Sequence, residues 1–380
     1  MKMKKISALA LSALMAGSML AGCGTVSTSG SPAASSAASS ASSAASEASS
    51  ASASSAEAAS SQAEAVSSGS EAAVAASAPA QVTLDAPVTI GINQLVQHPA
   101  LDAATKGFED ELKAVLGDQV TFDEQNAAGD AATAQTIAGS LVSENVDLIL
   151  ANATASLQAC ASATSDIPIL GTSITDYGVA LELENYDGTV GGNISGTSDL
   201  APLDQQAALF DELLPDAQNI GILYCSAEPN SKYQADTVQK ALEDAGRTVK
   251  TYTFSDSNDV QAVVTSAVKE CDALYIPTDN TAASCAETIN NVAEPANVPI
   301  IAGEEGIMAG CGIATLSIDY YELGKVTGDM AVKILTGEAD ISTMPIEYYP
   351  NPKKEYDQER CDKLGITVPD DFEAYVAEEE

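Results

Sequence analysis

The side chains that could do chemistry in this chain are hydroxyls and carboxylates placed directly after apolar runs. Ala153-Thr154-Ala155-Ser156 follows VDLILA, and Thr172-Ser173-Ile174-Thr175 follows PILG. Turns of this kind open helices, and the unpaired amides of a helix N-terminus favour an anion. A hydroxyl there also caps its own helix, so Thr154 and Ser173 carry both readings. Asp279-Asn280 follows ALYIPT, and Glu304-Glu305 follows VPIIAG. These carboxylates could accept from a cation or exchange protons as a pair, and Asp279 could equally start the next helix. Catalysis finds little else to use. The chain has one histidine, His98, and no Gly-X-Ser-X-Gly elbow, P-loop or Gly-X-Gly-X-X-Gly after a strand. A Ser-His or Cys-His nucleophile would need His98, and the sequence supplies no partner for it. The pattern is that of a binding protein, not an enzyme, and calls for no cofactor.

These residues sit at the ends of elements that alternate as βαβ units do. Val88, Ile90 and Ile92 read as a buried strand, and Leu101, Ala104, Phe108, Leu112 and Val115 recur at helical spacing. Between them lies a polar turn of Asn93, Gln94, Gln97 and His98, with Pro99 placed to open the helix. Such a turn projects from the carboxyl edge of a parallel sheet, where open α/β folds bind ligands. Further strands are expected at 120–123, 146–151, 167–171 and 190–194, and a second group at 220–224, 248–254, 273–276, 298–302 and 313–316. The pattern predicts two Rossmann-like lobes joined by a hinge, with a ligand cleft between them. Lobe 1 should take residues 86–196 and about 319–340, and lobe 2 residues 197–318 and about 341–368. The chain would cross between them three times, the third crossing lying near Asp340 to Tyr348.

Both ends of the chain differ from this middle. Residues 1–22 carry Lys2, Lys4 and Lys5, an apolar run from Ile6, and Leu20-Ala21-Gly22 before Cys23. That is a secretory signal, too short and wrongly flanked for a membrane span. Leu-Ala-Gly-Cys resembles a bacterial lipobox, which would acylate Cys23. Residues 23–80 are nearly all Ser and Ala and cannot bury enough apolar surface to fold, so they read as a tether with a reach of about 40 Å. Residues 369–380 read as an acidic tail. A formal charge of −38 argues against nucleic acid and anionic lipid as partners. Beyond Cys23, the cysteines 160, 225, 271, 285, 311 and 361 form no Cys-X-X-Cys pair. With a single histidine, no metal site is expected, and no disulfide is assigned.

The strings IGINQLVQHPALDAATKGF, GDAATAQTIAGSLVSENVDLILANAT, IPILGTSITD, GTSDL, NIGILYCSAEPNS, YIPTDNTAAS and IDYYELGKVTGDMAVKIL, in this order, span nearly all of residues 88–335. Together they resemble solute-binding lipoproteins of an ABC-importer family that includes tryptophan and tyrosine importers. The resemblance implies the type I periplasmic-binding-protein fold, a small-molecule solute, and a permease and ATPase on separate chains. It also implies a lipid-anchored protein on the extracellular face, with a Gram-positive surface favoured by the long tether.

An amino acid would then be held at three points. Its carboxylate would meet the turns carrying Asn152, Ala153, Thr154, Thr172, Ser173, Thr175 and Asp176. Its ammonium would meet Asp279, beside Asn280, with Glu304 as a second acceptor. Its side chain, expected to be aromatic, would meet His98, Tyr177, Tyr224 or Tyr320, with Asn93 and Gln94 on the same edge. Asn230 could close from lobe 2 or cap its helix, and Asp319 and Tyr320 could instead pack the hinge. A sugar, nucleoside or other polar solute, or a role in sensing or adhesion, is the alternative reading.

Overall fold

The computed structural model describes residues 82–376, so the expected signal segment, Cys23, the tether and residues 377–380 lie outside the described residues. The first lobe is built on β1 (Val88–Gln94), β2 (Val120–Asn126), β3 (Leu148–Asn152), β4 (Ile169–Ile174) and β5 (Ile194–Ser198). Its connections carry α1 (Pro99–Leu116), α2 (Ala131–Glu144), α3 (Thr154–Ala163) and the short α4 (Tyr177–Ala180). Strands β3, β4 and β5 are buried along their whole length because helices cover both faces. The apolar runs read in the sequence follow from that double burial.

The second lobe repeats the plan with β6 (Asn219–Cys225), β7 (Thr248–Phe254), β8 (Ala273–Ile276), β9 (Ile300–Ala302) and β10 (Ala314–Ser317). Its helices are α5 (Leu203–Leu213), α6 (Pro229–Asp244), α7 (Val260–Ala267), α8 (Asn280–Ser284), α9 (Ala286–Ala296) and α10 (Glu305–Cys311). Then α11 (Tyr320–Leu335) packs on α1 in the first lobe. The chain ends with β11 (Glu347–Tyr348), β12 (Lys353–Tyr356), α12 (Gln358–Leu364) and β13 (Glu373–Ala374). The sheet orders are β11-β5-β4-β3-β1-β2 and β13-β12-β10-β9-β8-β6-β7. Every pairing of named strands is parallel except β10 with β12.

Three expectations are corrected. The strand placed at 190–194 runs from Ile194 to Ser198, because Gly191 and Gly192 at positive φ make a turn just before it. The third crossing lies just beyond the expected stretch from Asp340 to Tyr348, so lobe 2 resumes after Tyr348 and not at about 341: Glu347 and Tyr348 pair with Thr197 and Ser198, and Met344 and Ile346 are buried in first-lobe cores. Pro350 and Pro352, which lack N–H donors, then carry the chain across. Residues 369–380 are not simply an acidic tail, since Phe372 is buried in a second-lobe core and Glu373–Ala374 extend that sheet.

Helix α11 is held where it is by missing side chains. A Cβ on Gly324 would lie 2.1 Å from the Ala104 carbonyl oxygen, and one on Gly107 would lie 2.0 Å from that of Tyr321. The two helices therefore touch backbone to backbone. This contact fixes the hinge-side start of α11, and with it Tyr320, against the first sheet.

Candidate functional site in the interlobe cleft

The sheet order places the carboxyl ends of β5, β4, β3 and β1 side by side. Asp199, Ser173, Thr154 and His98 therefore succeed one another along this edge. From it two hydrogen bonds reach the second lobe. His98 Nε2 lies 3.2 Å from Asn280 Oδ1, and Gln234 Nε2 donates to Thr175 Oγ1 at 3.3 Å. Helix α4 also packs on α6, and α1 on α10. The lobes are closed on each other.

Two adjacent points on this edge carry backbone strain. Ser173 has φ 56° and Ala153 has φ 80°, a region costing a non-glycine residue about 1–3 kcal/mol. Their conformations have chemical consequences. The Ser173 hydroxyl is buried with no hydrogen-bond partner in the protein. Ala153, as N-cap of α3, offers no side chain to that helix's first amides. Helix α3 contains no acid, so its N-terminus keeps its full preference for an anion. By contrast, the N-cap of α6 is Glu228, which makes that terminus a poor place for a carboxylate.

Among the described residues four carboxylates are buried: Asp199, Glu228, Asp279 and Glu304. Three have both oxygens engaged by the protein. Asp279 Oδ1 accepts the Ala282 amide at 2.7 Å and its Oδ2 accepts the Cys225 amide at 2.6 Å. Glu304 accepts the Gly306 and Ile307 amides and so caps α10. Glu228 takes the Asn280 and Thr281 amides together with donors from Asn280, Thr281 and Asn230 side chains. Asp199 differs. Its Oδ2 accepts the Tyr320 hydroxyl at 3.0 Å, while Oδ1 is buried with no partner in the protein. Burial pushes its carboxyl up to about 6, against the pull of the Tyr320 and Thr175 hydroxyls. Burial pushes Glu304 up to about 7 against the pull of the Gly306 and Ile307 amides, and the Asp199 carboxylate adds to the rise.

The structure keeps some expected residues at the cleft and removes others. His98, Asn280 and Thr175 take part in the bonds that join the lobes, Tyr320 bonds Asp199, and Ala153, Thr154 and Ser173 lie at the carboxyl edge of the first sheet, whereas Asn152 bonds Leu101 O and Thr105 inside the first lobe and Asn230 bonds Glu228 and Thr278 O inside the second, each with its side-chain oxygen unpartnered. Asn93 instead ties α2 to α3 through Ala134 O and Ser156, and Gln94 is spent on Val96 O, Asp102 and Thr105. Thr172 joins Thr197 and Thr327 inside the first lobe. Asp176 caps α4 and Asp319 caps α11. Tyr177 is buried with its hydroxyl on Thr197 O, and Tyr224 packs in a second-lobe core. The sequence reading missed Asp199, Glu228 and Gln234. Asp199 lies within GTSDL and would have stood out had β5 been placed four residues later.

A profile for ABC transporter substrate binding proteins matches residues 89–379. The chain belongs to this family. The substrate-binding protein is 40% identical over 266 residues to a tyrosine-binding protein of Clostridioides difficile strain R20291, a match covering 68% of this chain and 75% of the relative. An ABC domain from Streptococcus pneumonia solved in complex with L-Trp is 35% identical, with a TM-score of 0.72, over 75% of this chain and 97% of that one. A substrate-binding protein with adhesive properties from Clostridium difficile, solved ligand-free and open, is 36% identical, with a TM-score of 0.59, over 77% of this chain and 100% of that one. The two structures have nearly equal identity, yet the substrate-binding protein superposes better on the L-Trp complex. This agrees with the bonds that span its cleft. The relatives also confirm the two-lobed fold of type I periplasmic binding proteins.

Proposed function

We propose that this protein captures a free amino acid with an aromatic side chain in the closed cleft and delivers it to an ABC permease and its ATPase. The observation that carries the reading is Asp199, a buried carboxylate with one oxygen left for a cation at the point where the chain first crosses between lobes. An ammonium suits it through a charge-assisted hydrogen bond. The solute carboxylate meets the Ser173 hydroxyl and the α3 amides, one and two strands away along the same edge. The aromatic preference draws on the tyrosine- and tryptophan-named relatives. Contacts from both lobes supply the free energy of hinge closure.

Acylated Cys23 and the tether would hold the protein at the outer face of the membrane. None of the described helices is long and apolar enough to cross one. A thermal-shift panel of the amino acids, with sugars and nucleosides as controls, tests the solute class. Tryptophan, tyrosine or phenylalanine at a hundredfold excess over Kd stabilises the protein by about 2.7 kcal/mol. A shift confined to sugars or nucleosides contradicts the reading.

A further inference from the structure

The neighbours of the single histidine fix its tautomer. His98 is 7% exposed and lies between the lobes, its Nε2 3.2 Å from Asn280 Oδ1 and its Nδ1 without a partner in the protein. The Asn280 amide cannot turn over. Its Nδ2 sits 2.8 Å from Glu228 Oε2, and a carboxylate oxygen only accepts, so a flipped amide would set oxygen against oxygen. Glu228 is itself fixed by the Asn280 and Thr281 amides and the Thr281 hydroxyl. With Asn280 Oδ1 facing His98, Nε2 must carry the proton and Nδ1 presents a lone pair. Burial disfavours the charged ring more strongly than Asn280, Glu228 and Asp102 favour it, which keeps Nδ1 unprotonated.

The sheet supplies a ruler for what this lone pair meets. Asp199 follows β5 and His98 follows β1, three strand positions apart in the order β5-β4-β3-β1. At ~4.8 Å per strand the two strand axes are roughly 14 Å apart. Asp199 and His98 therefore stand at opposite ends of the edge, and a solute whose ammonium meets Asp199 turns its far side toward His98.

We propose that Glu228 and Asn280 hold His98 as a fixed hydrogen-bond acceptor in the cleft, so that the site selects solutes whose aromatic side chain bears a donor, a phenol or an indole, over phenylalanine. The inference rests on the aromatic amino-acid reading and adds its selectivity. A site built to bond a donor rejects the isostere lacking it, because its own polar group is then left buried and unpaired.

The test combines two readouts on the full chain. Long-range proton–nitrogen NMR of the ligand-free protein has only one imidazole to report; the expected pattern is neutral with the proton on Nε2, lost to a tautomer mixture in Glu228→Gln. A proton on Nδ1, or a charged ring at neutral pH, overturns the proposal. Calorimetry then compares L-tyrosine, L-tryptophan and L-phenylalanine. At least one of the first two should bind at least about tenfold tighter than phenylalanine, and His98→Leu should remove that ratio. Equal binding of all three, or a ratio that survives His98→Leu, overturns the selectivity and leaves the aromatic reading standing. Binding of none overturns both.

Discussion

Asp199→Asn weakens amino-acid binding by about 2.5 kcal/mol, roughly seventyfold, while the protein stays folded. Asparagine keeps the shape and can still accept from Tyr320, but it removes the charge that an ammonium needs. The same substitution changes the pH dependence. In the ligand-free protein burial holds the Asp199 carboxyl up at about 6, above its ordinary 3.8. A group raised in this way stabilises the fold fully below its unfolded value, and that contribution is lost as pH rises through the folded value. A bound ammonium favours the ionised form and lowers the carboxyl again. Binding near pH 5 therefore releases a proton, and affinity rises with pH up to about 6, by at most about tenfold per unit, then levels off. The Asp199 carboxylate adds to the burial that raises Glu304 to about 7, so the Glu304 titration remains in the variant but moves down. Calorimetry at several pH values separates the two: the slope below about 6 should disappear in Asp199→Asn. A variant that binds as tightly as the parent removes Asp199 from the site.

Asp279→Ala acts on the fold first. Both of its oxygens hold buried backbone amides, those of Cys225 and Ala282. Each amide left unpaired costs about 1–3 kcal/mol, and the lost helix cap is part of the same effect. One contribution opposes this. Burial, and then the neighbouring Glu228 carboxylate, raise the Asp279 pKa, so removing the acid also relieves some desolvation and repulsion. Two lost amide partners outweigh that relief, and the expected net loss is about 3 kcal/mol in urea unfolding. Affinity of the folded variant should fall less than for Asp199→Asn, since both Asp279 oxygens already hold buried amides. Unchanged stability with abolished binding would return Asp279 to the ammonium position.

The contrast between these two acids marks how far the sequence could be read. Alternating apolar runs gave the two lobes, and Pro99 after His98 gave the strand-to-helix turn, because those signals are local. Asp279 follows a strand and precedes a helix, and that placement suits a ligand contact and a helix cap equally. Only the position of the Cys225 amide, 54 residues away in sequence, decides between them. Asp199 was hidden for a different reason: the Gly191-Gly192 turn delays β5, so its end and the hinge were placed too early. Glu228 gave no local signal at all. It follows a strand by three residues but caps a helix fifty residues later, and such pairing is a property of the folded sheet.

In the proposed complex the closed cleft reads both charged ends of one amino acid. Titration calorimetry of L-tryptophan beside tryptamine, which lacks the carboxylate, and indole-3-propionate, which lacks the ammonium, tests it most directly. Each analogue should lose at least about 1.5 kcal/mol, and Asp199→Asn should worsen tryptamine binding but not indole-3-propionate binding. Analogues that bind as well as tryptophan, or an Asp199→Asn loss equal for both, would contradict it.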